Sequence, residues 1–125
     1  MENLDRSTAE IKLVLETYFN GIFFGDAKLL RNVFHTQALV AGDINGIPYF
    51  KTADQYLTGV ENRKSPYESG EVLSMKIVSI EIMNSIAVAK VNVPIFEYNY
   101  YDFLSLVLID NKWLIINKLL THINN

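Results

Sequence analysis

"YYDFLSLVLIDNKWLIINKLL", residues 100–120, reads as two apolar strands joined by the turn Asp110-Asn111-Lys112, with an aspartate, Asp102, inside the first. An ionised carboxylate buried without partners is so costly that it takes up a proton or recruits a hydrogen-bond donor. With a tight turn between Ile109 and Lys112, strand parity puts Asp102, Leu104, Leu106 and Leu108 on one face with Trp113, Ile115, Asn117 and Leu119. The opposite face, with Phe103, Val107, Leu114, Ile116, Lys118 and Leu120, is also largely apolar. A sheet with one face in water alternates apolar and polar residues, so two apolar faces imply that both are covered. Helices can cover one. The other is expected to form a homodimer contact, or else to seat a larger lipid-like or protein partner.

Upstream of this hairpin, residues 70–83 and 85–96 read as two further strands, with turn residues at Asn84 and Asn99. Pairing 85–96 with 100–109 places Ala87, Ala89, Val91, Val93 and Ile95 on the Asp102 face. These side chains are mostly small, and beside Trp113 they would leave a hollow. A mainly apolar hollow with a few polar groups describes a small-molecule pocket.

The N-terminal half is helical in pattern. Ser7-Thr8-Ala9-Glu10 has capping-box spacing, followed by an apolar stripe at Ile11, Val14, Leu15, Tyr18, Phe19 and Ile22. Gly25 ends this helix and Asp26 caps a second, with Leu29, Leu30, Val33 and Phe34 on its apolar side. Leu39-Val40-Ala41 and Ile47-Pro48-Tyr49-Phe50 flank the turn cluster at residues 42–46, an irregular hairpin that its proline keeps at a sheet edge. Thr52-Ala53-Asp54-Gln55 is a second capping-box spacing, opening a short helix through Tyr56, Leu57 and Val60. Helices first and a long meander after them argue for α+β, three helices packed on one face of a curved sheet.

Composition narrows the function. The chain has 125 residues, 50% of them hydrophobic, enough for one domain over residues 1–125 with one substantial core. Its 11 Lys+Arg against 14 Asp+Glu provide no basic surplus for a phosphate backbone, so nucleic acid is not expected as a partner. With no cysteine, disulfides, thiolate metal sites and a cysteine nucleophile are excluded. The two histidines lie far apart without a carboxylate pattern, so no metal site is composed; no nucleophile elbow or phosphate-binding glycine loop occurs, and no cofactor is implied. No secretory leader and no apolar run of membrane-spanning length is visible, which leads us to expect a soluble, cytoplasmic protein without a membrane partner.

"YFNGIFFGD" (18–26), "LLRNVFH" (29–35) and the hairpin quoted above resemble the nuclear-transport-factor-2-like superfamily, over nearly the whole chain. That superfamily includes ketosteroid isomerase, scytalone dehydratase and polyketide cyclases of the SnoaL type. Within it, "FH" followed by a sheet ending in "DFLSLVLIDNKWLIINK" looks most like the group labelled "putative lumazine-binding". Thr36 stands where that group commonly has proline, and Asn111 where it commonly has glycine. The resemblance implies a cystatin-like cone: three N-terminal helices on a strongly curved mixed, mainly antiparallel sheet.

It also implies roles. Tyr18 and Asp102 fall where ketosteroid isomerases hold the two oxyanion-hole donors, a tyrosine and a protonated aspartic acid. The general base of those enzymes falls at Gly42, which has no side chain, and parity points the neighbouring Asp43 elsewhere.

Each candidate also has an ordinary structural reading. Asp102 is a pocket donor or a satisfied strand-end carboxylate, and Tyr18 a pocket hydroxyl or a core tyrosine. His35, at the end of helix two, is a ligand contact or base, or a partner of the helix dipole. Asn117, beside Trp113 on the interior face, contacts a ligand or makes a structural bond. Tyr56 is a pocket lid or packing. Three functions therefore stand open: a binding domain fixing an apolar or aromatic small molecule through Tyr18, Asp102 and Asn117; an isomerase, dehydratase or cyclase acting next to a carbonyl, with His35 or Asp43 replacing the base; and a dimeric protein-interaction module.

Overall fold

The computed structural model describes residues 4–123. Helix α1 (Leu4–Phe24) buries the predicted stripe of Ile11, Leu15, Tyr18, Phe19 and Ile22. It is already helical at Leu4, so Ser7 does not cap it; the Thr8 hydroxyl bonds back to the Leu4 carbonyl at 2.9 Å, the mid-helix use of such a side chain. Gly25, at φ 66°, ends the helix, and the Asp26 amide returns to the Gly21 carbonyl at 2.9 Å. Asp26 then caps α2 (Ala27–Val33), accepting from the Lys28 and Leu29 amides at 3.0 and 3.2 Å.

Helix α2 stops one residue earlier than its pattern predicts. Phe34 is drawn into strand β1 (Phe34–Ile44), where it pairs with Ile115. His35 is therefore a strand residue, not a partner of a helix dipole. Strand β2 (Ile47–Thr52) pairs antiparallel with β1 around Asn45-Gly46 and forms a sheet edge, so Pro48 removes no interior ladder bond.

Thr52 and Gln55 close a reciprocal capping box on α3 (Ala53–Asn62), with bonds of 3.1 and 2.9 Å. Thr52→Ala should cost about 1 kcal/mol in urea unfolding. An unchanged midpoint would show that α3 is held by its buried face alone.

Strands β3 (Lys76–Met83), β4 (Ile86–Ile95), β5 (Tyr98–Ile109) and β6 (Lys112–Ile123) form the meander. The strand expected to start at Gly70 starts six residues later. Residues 65–71 bond among themselves instead, as in Glu71 N–H to the Pro66 carbonyl at 3.0 Å, and the Glu71 carboxylate accepts from the Phe96 amide. The β4–β5 turn lies at Phe96-Glu97, both at positive φ, and not at Asn99; the β4–β5 parity is the same either way.

The sheet order is β2-β1-β6-β5-β4-β3, with β1 parallel to β6 and every other pair antiparallel. All three helices precede β3, the β1–β2 hairpin being inserted between the second and third. Helix α1 packs against β3 and β6, and the small Ala87 and Ala89 of β4 lie on the inner face between them. No described helix is long and apolar enough to cross a membrane.

One irregularity changes the interior. In the β5–β6 pair Ser105 faces Asn117 while Leu106 faces Ile115, so Ile116 is an extra residue, a β-bulge. The bulge reverses parity for the rest of β6. Lys118 and Leu120 turn inward and are buried, whereas Asn117 and Leu119 turn outward. The expectation that Asn117 shares the Asp102 face is thus corrected.

Candidate functional site

Asp102 lies in mid-strand, paired with Val91 on one side and Leu120 on the other, and is 2% exposed. The Tyr18 hydroxyl, from α1, donates to its Oδ2 at 2.5 Å. The same oxygen is 3.9 Å from Lys118 Nζ, which donates to the Tyr56 hydroxyl on α3 at 2.6 Å. Lys118 is 5% exposed, and its ammonium lies 4.3 Å from the Tyr56 ring centroid and 5.1 Å from that of Tyr18. Two aromatic rings and a carboxylate therefore stabilise a buried cation that would otherwise be costly.

Burial pushes the Asp102 carboxyl up, more than Lys118 and the Tyr18 bond pull it down. Burial, then the nearby Asp102 charge, holds the Tyr18 hydroxyl well above its ordinary range, so Tyr18 remains a donor. A carboxyl raised on folding binds more protons in the folded state than in the unfolded chain. Its contribution to stability is therefore most favourable at acid pH and declines as pH rises from about 3.9 through the folded value. Stability of the wild type relative to Asp102→Asn should accordingly fall with rising pH across that window. Paired urea titrations check it; a difference that grows with pH would contradict the raised carboxyl.

Asp102 and Lys118 form the floor of a cavity of ≈ 60 Å³. Its apolar wall is Ile22, Ile44, Val93, Ile95, Phe96 and Leu120; Tyr49, Tyr56, Tyr100 and Arg63 complete the lining. Arg63 caps the C-terminus of α3, and its guanidinium lies 5.0 Å from the Phe96 ring centroid. Burial raises the hydroxyls of Tyr49 and Tyr100, both half-buried, so these also stay protonated.

The structure gathers some of the predicted residues and disperses others. Asp102 and Tyr56 line the cavity, and Tyr18 stands behind Asp102. Trp113 is buried on the same sheet face, but at the β5–β6 turn end, paired with Leu108, away from the cavity; its Nε1 has no acceptor among the described residues. Of the small residues read as a hollow beside Trp113, Val93 and Ile95 instead wall the cavity, while Ala87, Ala89 and Val91 are buried in the core. Asn117 is outside. His35 borders a separate surface hollow with Arg31, Phe34 and Ala53, and its Nδ1 accepts from the Gln37 amide at 3.0 Å. Asp43 accepts from the Thr121 hydroxyl at 2.7 Å and does not line the cavity. His122 accepts from the Asn45 amide at 2.9 Å through Nε2 and packs against Tyr98. Among the described residues no cluster of His, Cys, Asp or Glu could hold a metal ion.

Sequence reasoning missed Lys118 and Arg63. Lys118 was assigned outward by unbroken alternation. No local signal marks the bulge at Ile116, since the equally apolar run Leu106-Val107-Leu108-Ile109 pairs without a shift.

At Gly42, φ is 148° and β1 runs so close to β6 that an added Cβ would lie 1.8 Å from the Leu120 carbonyl oxygen. Among the described residues no carboxylate other than Asp102 lines the cavity. The arrangement can bind and orient a hydrogen-bonding group. Tyr18 already donates to Asp102.

Many solved structures share the fold. A nuclear-transport-factor-2-like protein of unknown function from Silicibacter pomeroyi superposes with TM-score 0.87 at 22% identity, covering 95% of this chain and 98% of its own. One from Shewanella baltica gives 0.83 at 21% identity, covering 98% of each chain. One from Methylobacillus flagellatus gives 0.80 at 23% identity, covering 95% of this chain and 94% of its own. The sequence model of a family described as "Putative lumazine-binding" matches residues 6–121. No curated protein matches the sequence.

Proposed function

This chain belongs to the family described as "Putative lumazine-binding", with a nuclear-transport-factor-2-like α+β fold, and from that premise we propose that it binds a small molecule between α1, α3 and the sheet. The observation that carries this reading is the polar floor of Asp102 and Lys118 under an apolar wall. Such a floor orients a ligand while burial of its apolar surface supplies affinity. Binding without chemistry is favoured over the isomerase, dehydratase or cyclase reading, because neither His35 nor Asp43 lines the cavity and Gly42 carries no base.

The cavity of ≈ 60 Å³ is well below the roughly 300 Å³ of a pocket for a drug-sized ligand, so a ligand of that size would enter by displacing the rings at the mouth. A thermal-shift screen of pterins, flavins, steroids and polyketides tests the reading. A ligand present at about a hundred times its Kd stabilises by about 2.7 kcal/mol. No stabilisation by any class, with an empty interior in a crystal grown without additives, would overturn it.

A second reading concerns the outer face and does not compete with the first. The sheet's far side exposes Phe103 at 50%, Leu119 at 43% and, on β2, Phe50 at 70%, in one row across paired strands. We propose that this face forms a homodimer, as its apolar area suggests. Phe103→Glu should convert a dimer to a monomer in analytical ultracentrifugation. A wild-type monomer at micromolar concentration would refute the assembly.

A further inference from the structure

We propose that the cavity selects a small monocarboxylate, its carboxylate held by Lys118 and Arg63 and its apolar body resting against Phe96 and the rings of Tyr49 and Tyr100. This rests on the ligand-binding reading above and narrows it to one ligand chemistry.

Charge is the first support. Two cations, Lys118 and Arg63, face one carboxylate, Asp102, so the lining carries an excess of one positive charge in a chain whose net charge is −3. One surplus charge matches a monoanion.

Donor count is the second. Lys118 has three N–H donors, of which one is given to Tyr56. Tyr56, accepting that bond, keeps its own O–H, and Arg63 and the hydroxyls of Tyr49 and Tyr100 add more donors. Asp102 is the sole carboxylate among the lining residues and already accepts from Tyr18. A site this rich in donors is complemented by a ligand group that only accepts, and a carboxylate presents two such oxygens.

Size is the third. An apolar cavity of about 150 Å³ holds benzene, so ≈ 60 Å³ admits a head group and leaves a ring at the mouth.

Calorimetric titration of the intact protein with benzoate and with benzamide tests the proposal, since the two share a ring and a shape and differ in charge. Benzoate should bind about ten- to a hundred-fold tighter, with the advantage shrinking as salt rises. Arg63→Gln, at an exposed helix end where folding is not at stake, should weaken benzoate several-fold and leave benzamide unchanged; Lys118→Met should do the same more strongly if it folds. Equal or tighter binding of benzamide, or benzoate binding indifferent to Arg63→Gln, would overturn the proposal. If neither probe binds but a neutral pterin or steroid stabilises the protein, carboxylate selection falls and the ligand-binding reading stands. If nothing binds, both fall.

Discussion

Lys118→Met should destabilise the protein by about 3–5 kcal/mol near neutral pH, and the loss should shrink to less than about 1 kcal/mol near pH 4. Methionine keeps most of the lysine stem's volume, so the loss reports the charge and its bond to Tyr56 and not a cavity. Without Lys118, Asp102 is a fully buried carboxylate whose remaining donor is Tyr18, and folding then requires its protonation. Each pH unit above the unfolded value of about 3.9 makes that protonation costlier by about 1.4 kcal/mol, or about 4 kcal/mol at pH 7.

Adding Asp102→Asn removes the charge and keeps an oxygen for the Tyr18 hydroxyl, so the double variant should recover at least half of the loss. Urea unfolding of the three proteins at several pH values forms the cycle. A pH-independent deficit, or a double variant as unstable as Lys118→Met, would show that the pair's charge is not what holds the floor together.

Gly42→Ala should cost more than about 4 kcal/mol or prevent folding, an extreme loss for one added methyl group. The added Cβ would lie 1.8 Å from the Leu120 carbonyl oxygen, and this contact is with backbone, which cannot rotate aside. The φ of 148° adds strain for any side chain. Relief requires separating β1 from β6 at their parallel pairing, which hydrogen exchange of the β1 amides would reveal. A loss within 1 kcal/mol would mean that the two strands part easily. Any larger side chain at this position, as in Gly42→Asp, meets the same obstruction.

The helices were legible because their signals are local: apolar spacing on α1, Asp26 at an N-cap, and the Thr52–Gln55 box each depend on residues within a few positions. Ser7-Glu10 misled for the same reason, since a capping-box spacing is also compatible with the interior of a longer helix. The β4–β5 parity survived a misplaced turn because Phe96-Glu97 and Tyr98-Asn99 differ by two residues, which leaves every side chain on the same face. The β5–β6 parity did not survive, because one extra residue moves everything beyond it to the other face.

By itself, the sequence determined the α+β class, the helix ends marked by side-chain caps and the edge position of the proline strand, while the superfamily resemblance singled out Tyr18 and Asp102 together. Only the tertiary structure decided that Lys118 and not Asn117 joins them, that the hollow lies at the Arg63 end and not beside Trp113, and that Gly42 has no room for a side chain. The physical reason is one of range. Caps and apolar periodicity are properties of neighbouring residues, whereas a bulge, a cavity and a backbone contact arise where strands distant in sequence are brought together by the whole fold.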